Sequence, residues 1–127
     1  MAVILNLMFG WRRGGLERAA AHYHLALASR GHRVITVGHR QSWLRTQLPK
    51  DAAFVAMSPF TDYDPRVHVA LLRSVHTHRP SALIAHGNRA MRYAARMSDA
   101  RRIGVFHNFQ FKPYHARLDA GIAVSKV

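Results

Sequence analysis

The chain reads as short apolar runs separated by segments with helical spacing. The runs are Val3 to Leu7, Val34 to Val37, Ala53 to Met57, Ala82 to Ala85, Ile103 to Phe106 and Ile122 to Val124. None alternates cleanly between apolar and polar positions. A strand with one wet face alternates and a strand covered on both faces does not, so the runs predict a buried parallel sheet.

Three helix patterns lie between them. Leu16, Ala19, Ala20, Tyr23, Ala26 and Leu27 fall on one stripe, with Glu17, Arg18 and His22 turned away from it. Gly31 follows as the residue whose left-handed backbone closes the helix. The second pattern has the better start signal, with Asp64 as N-cap and Pro65 at the first helical position. Val67, Ala70, Leu71 and Val75 form its inner face and Pro80 stops it. The third begins near Asn88, with Ala90, Tyr93, Ala94 and Met97 inward and Arg89, Arg92 and Arg96 outward. The order β-α-β-β-α-β-α-β-β predicts an α/β fold: a mostly parallel sheet, the Val3 to Leu7 strand central, and helices on both faces. The segments between Thr36 and Ala52 and between His107 and Asp119 are long loops with room for local structure.

Composition narrows the class. With 127 residues, 49% of them hydrophobic, the chain is one folded domain or a piece of a larger one, not a disordered segment. It has no cysteine, which excludes a disulfide framework, a thiolate zinc site and a thiol nucleophile, and fits a reducing compartment. No apolar run approaches the roughly 20 residues that span a bilayer. The opening "MAVILNLMF" lacks a basic leader and runs into Trp-Arg-Arg, so it reads as a first strand and the protein is expected in the cytoplasm.

Formal net charge is +13, and 16 of the 19 basic residues are arginine. Such a balance suits an anionic partner: nucleic acid, a phosphorylated substrate or acidic lipid. It is equally what an arginine- and alanine-rich coding bias produces, and the arginines form no block.

In parallel sheets of this kind ligands bind beyond the carboxyl ends of the strands. The residues found there are Arg12, Arg13, Gly14 and Gly15 after the first run, and His86, Gly87 and Asn88 after the fourth. His107, Asn108 and Phe109 follow the fifth, and Ser125 and Lys126 the sixth. Gly14 and Gly15 lack Cβ atoms, so a helix entrance there lets backbone N–H groups approach a bulky anion; a tight turn without ligand has the same signature. Neither the G-x-G-x-x-G fingerprint nor a P-loop is present. His22, His24, His68, His76 and His78 lie on helix patterns and are expected in solvent. His76 and His78, two apart, do not share a face as paired zinc ligands do. Six acidic residues offer no metal cluster.

These blocks resemble a family. "GGLERAAAHYHLALASRGHRVITV" is similar to the opening of the amino-terminal domain of retaining GT-B glycosyltransferases of the subfamily 4-like type. "ALIAHGN", "IGVFHN" and "DAGIAVS" follow in family order, so the likeness covers nearly the whole chain. It implies a Rossmann-like, acceptor-side half of a two-domain enzyme that moves a sugar from a nucleotide-sugar, its substrate, to a glycan or lipid-linked acceptor. The setting implied is cell-envelope or polysaccharide synthesis, with contact to an anionic membrane surface. His107 would stand near the transferred sugar. Gly14, Gly15, Arg13, His86, Asn88, Asn108 and Ser125 would face the donor diphosphate or the acceptor. No metal or cofactor is implied. The chain is expected to be incomplete at its carboxyl end, without the donor-binding domain and inactive alone. Two alternatives stand beside this: a basic nucleic-acid-binding module, disfavoured because aromatics and arginines are not interleaved on a recognisable platform, and another nucleotide-binding Rossmann enzyme.

Overall fold

The computed structural model describes residues 1–106 and 117–123. Chain order is β1 (Val3–Met8), α1 (Gly15–Ser29), β2 (Arg33–Gly38), α2 (Trp43–Thr46), β3 (Ala53–Ala56), α3 (Pro65–His78), β4 (Ala82–His86), α4 (Gly87–Ala94), β5 (Arg101–Phe106) and β6 (Ala120–Ala123). The six strands form one sheet in the order β3-β2-β1-β4-β5-β6, every neighbouring pair parallel. β1 and β4 are its centre, with Leu5 beside both Ile35 and Leu83.

Strand parity divides the core in two. Leu5, Leu7, Ile35, Val37, Leu83 and Ala85 pack with Val67, Leu71 and Val75 of α3 and with Ala90, Met91, Tyr93 and Ala94 of α4. On the opposite face Met8 packs with Ala20 and Ala21 of α1, and Ile4, Ile84 and Val105 with Tyr23 and Leu27. Helices therefore cover both faces, the condition under which a parallel sheet carries unbroken apolar runs. The α1 face departs from the apolar rule, because the same parity buries Asn6, Thr36 and His86 there.

Local signals match the expected ends. Gly31 takes φ +86 behind α1, Asp64 Oδ1 accepts from Arg66 N–H at 3.0 Å, and Pro65 opens α3. The first long loop holds α2, whose cap Ser42 Oγ accepts from Leu44 N–H at 3.1 Å. β6 is fastened by Asp119, whose Oδ2 accepts from Arg102 N–H at 2.7 Å.

Three expectations for α1 are corrected. Glu17 and His24 are buried, and Ala26 is exposed. The buried stripe is Glu17, Ala20, Ala21 and His24, which has the i, i+3, i+4, i+7 spacing of a helix face. Polar residues at both ends hid it from a reading based on hydrophobicity.

Candidate functional site

The strand order places the switch point between β1 and β4, whose following chains leave in different directions. A cavity of about 350 Å³ opens there, beyond the carboxyl ends of both strands. Met8 to Arg12 and Leu16 and Glu17 of α1 form one wall, and His86 to Ala90 form the other.

His86 is the last residue of β4 and is buried, its ring edge-on to Tyr23 with centroids 5.0 Å apart. Its Nε2 lies 2.7 Å from Asn6 Oδ1. Gly87 follows at φ +86, a left-handed turn that a Cβ would also obstruct by meeting Leu16 Cδ1 at 2.9 Å. α4 then begins with no side chain capping its first turn, and Asn88 and Arg89 of that turn line the cavity, Arg89 Nε donating to Asp62 Oδ1 at 3.0 Å.

The entrance of α1 is built differently. Gly14 is the N-cap and Glu17 stands at the third helical position, 7% exposed and lining the cavity. A Cβ on Gly14 would lie 3.1 Å from Glu17 Oε2, and one on Gly10 would lie 3.0 Å from Oε1. The space that the glycines leave is taken by the protein's own carboxylate. An acidic group at this helix end is favourable, and it occupies the place of an external anion.

Of the expected residues, His86 and Asn88 line the cavity. Gly14 and Gly15 lie at the same edge of the sheet but behind Glu17, outside the cavity lining. Arg13 turns away, with its guanidinium 5.5 Å from the Trp43 ring centroid. His107, Asn108 and Ser125 lie outside the described residues. Arg12, also expected at this edge, lines the cavity, and Glu17 and Arg89 line it without having been expected there; Asn6, behind His86, was not expected either. Asn6 had a signal, an amide in the middle of "VILNLM".

A second cavity of about 490 Å³ lies at the ends of β2 and β3, between His39 to Gln41, Ala56 to Phe60 and the start of α3. Burial, with Arg40 beside it, lowers the His39 pKa. Asp64 is held below the usual carboxylate range by the Arg66 side chain and then by Phe60 N–H. Around this edge, arginines stack on aromatics: Arg12 on Trp11 at 5.2 Å, Arg66 on Phe60 at 4.8 Å and Arg96 on Tyr63 at 4.1 Å. Trp11 and Arg12 are neighbours in the chain, whereas the fold pairs Phe60 with Arg66 and Tyr63 with Arg96. Trp11, Phe60 and Tyr63 are each more than half exposed. Among the described residues no group of three or more His, Cys, Asp or Glu could hold a metal ion. Nor is any helix there long and apolar enough to cross a membrane.

No protein-family model matches the sequence, and no curated protein matches it. Among solved structures the chain is similar to the crystal structure of Acinetobacter baumannii MurG, with a TM-score of 0.71 and 13% sequence identity. The match covers 98% of this chain and 41% of that one. At that identity the likeness concerns the fold, and the Rossmann-like α/β architecture expected from the sequence is the one observed.

Proposed function

We propose that the chain is the acceptor-side half of a nucleotide-sugar-dependent glycosyltransferase of the GT-B kind, serving cell-envelope or polysaccharide synthesis. The observation that carries the reading is the fold shared with MurG, a GT-B glycosyltransferase, across 98% of the chain. The switch-point cavity supports it, lying where such sheets take their ligands. A glycan or lipid-linked acceptor would meet two kinds of wall. The open first turn of α4, with Arg12 and Arg89, suits an anionic group such as a phosphate. Glu17, a buried carboxylate, suits a group that donates hydrogen bonds, such as a sugar hydroxyl. The exposed Trp11, Phe60 and Tyr63 with their arginines suit the interface of an anionic bilayer.

The donor-binding half and its contacts to the diphosphate leaving group belong, on this reading, to a second α/β unit outside these 127 residues. The retaining outcome and the subfamily 4-like assignment rest on the sequence blocks alone, as does His107 near the transferred sugar. Holding donor and acceptor in attack geometry needs both walls of a cleft, so the chain alone should not turn over.

The test is an NMR titration of the ¹⁵N-labelled chain with soluble lipid-phosphate and glycan acceptor analogues, alongside a sugar-transfer assay. Shifts centred on Gly10, Glu17, Gly87 and Arg89, without turnover, are expected. Shifts confined to the opposite edge of the sheet, or none with any analogue, would overturn the reading. A parallel arm compares anionic vesicles with single-stranded oligonucleotide; preference for the oligonucleotide would favour a nucleic-acid-binding module instead.

A further inference from the structure

Asn6, Thr36, His24 and His86 form a buried polar chain on the α1 face of the sheet, each less than a tenth exposed. Asn6 Nδ2 lies 2.9 Å from Ala20 O and 3.1 Å from Thr36 Oγ1. A carbonyl can only accept, so the amide nitrogen must face Ala20 and Oδ1 must face His86. His86 Nε2, at 2.7 Å from that oxygen, therefore carries a proton. At the other end, Thr36 Oγ1 already accepts from Asn6 and has one hydrogen to give. His24 Nδ1, at 2.6 Å, is the acceptor that remains for it. Besides the Asn6 bond to Ala20 O, the donors thus run one way, from His86 through Asn6 and Thr36 to His24, and such one-way chains reinforce each bond.

We propose that Asn6 and Thr36 are positioning residues that hold the His86 ring, at the wall of the switch-point cavity, with its proton on Nε2. His24 closes the chain as an acceptor, and burial lowers its pKa, which keeps it in that role. The groups around His86 bear on its charge. Glu17 of α1, Arg12 of the loop before it and Arg89 of α4 line the same cavity. Tyr23 of α1 meets the ring edge-on. Val105, beside His86 on β5, brings no charge. The proposal concerns the state of one side chain and stands or falls whether or not the glycosyltransferase reading holds.

Long-range ¹H–¹⁵N correlation spectra of the ¹⁵N-labelled 127-residue chain read the tautomer and titration of each histidine. At pH 7.5 both His86 and His24 should appear as Nε2–H tautomers. Asn6→Asp replaces the amide with a carboxylate facing Nε2–H, and should raise the His86 pKa by at least about 1 unit. Thr36→Val removes the hydroxyl and should release His24 from its single tautomer, while Thr36→Ser should restore it. Amide spectra verify the fold in each case. Should Asn6→Asp fail to fold, the Thr36 pair and the unmodified chain decide. His86 protonated on Nδ1 in the unmodified chain would overturn the proposal. So would a folded Thr36→Val with His24 unchanged, or a folded Asn6→Asp with an unmoved His86 pKa.

Discussion

Replacing Tyr93 with phenylalanine tests whether one hydroxyl holds the loop between β3 and α3 in place. Tyr93 is fully buried in α4, its ring edge-on to Phe9 at 5.4 Å. Its hydroxyl accepts from Asp64 N–H at 2.7 Å and donates to Thr61 O at 2.7 Å. Burial pushes the phenol pKa up, so the group stays a neutral donor. Phenylalanine keeps the ring and its packing, and removes only the two bonds. Each is worth about 0.5–1.5 kcal/mol net, and a buried donor left without a partner costs about 1–3 kcal/mol. Thr61 is exposed and its carbonyl can turn to water, so most of the loss falls on the Asp64 amide, which sits at a 5% exposed residue. The expected destabilisation is about 2 kcal/mol, close to an 8 °C fall in Tm for a domain of this size. Urea unfolding measures the first, and amide exchange at Asp64 locates it. Tyr63→Phe is the control, since the Tyr63 hydroxyl bonds Arg92 at the surface and should matter by less than about 0.5 kcal/mol. A Tyr93→Phe effect no larger than the control, with Asp64 exchange unchanged, would refute the assignment.

Three further outcomes are expected. Arg79 closes α3 at φ 45, a left-handed conformation that burdens any residue with a Cβ, so Arg79→Gly should stabilise by about 0.5–1 kcal/mol in urea melts. If Gly14 leaves room for the Glu17 carboxylate, Gly14→Ala should destabilise the parent more than it destabilises a Glu17→Ala background, with a coupling of about 1 kcal/mol; additive effects would disprove that contact. His24 has a folded pKa below its ordinary value, so the unfolded chain takes up the proton first. Its contribution to stability is full above the unfolded pKa of about 6.5 and is lost as pH falls towards the folded one. Melts between pH 7.5 and 5 should show the decline, and His24→Gln should flatten it.

The elements and the sheet were readable along the chain because each depends on neighbours in sequence. Unbroken apolar runs such as "AVIL" and "ALIA" require cover on both faces, and Asp64-Pro65 and Gly31 mark helix ends by backbone geometry alone. The edge of the sheet that carries the cavity followed from the same rule, since His86 ends a strand and Asn88 lies just beyond it. The rotation of α1 was decided only in three dimensions. His24 looks like a solvated position until strand parity turns Thr36 towards it, since a polar residue is buried at low cost where another element supplies its partner, and Glu17 is buried where Gly10 and Gly14 leave room for its carboxylate. The glycine pair changed meaning for the same reason. Sequence can show that a Cβ is missing, but only packing shows what fills the gap, and at Gly14 the filler is a side chain three residues along its own helix.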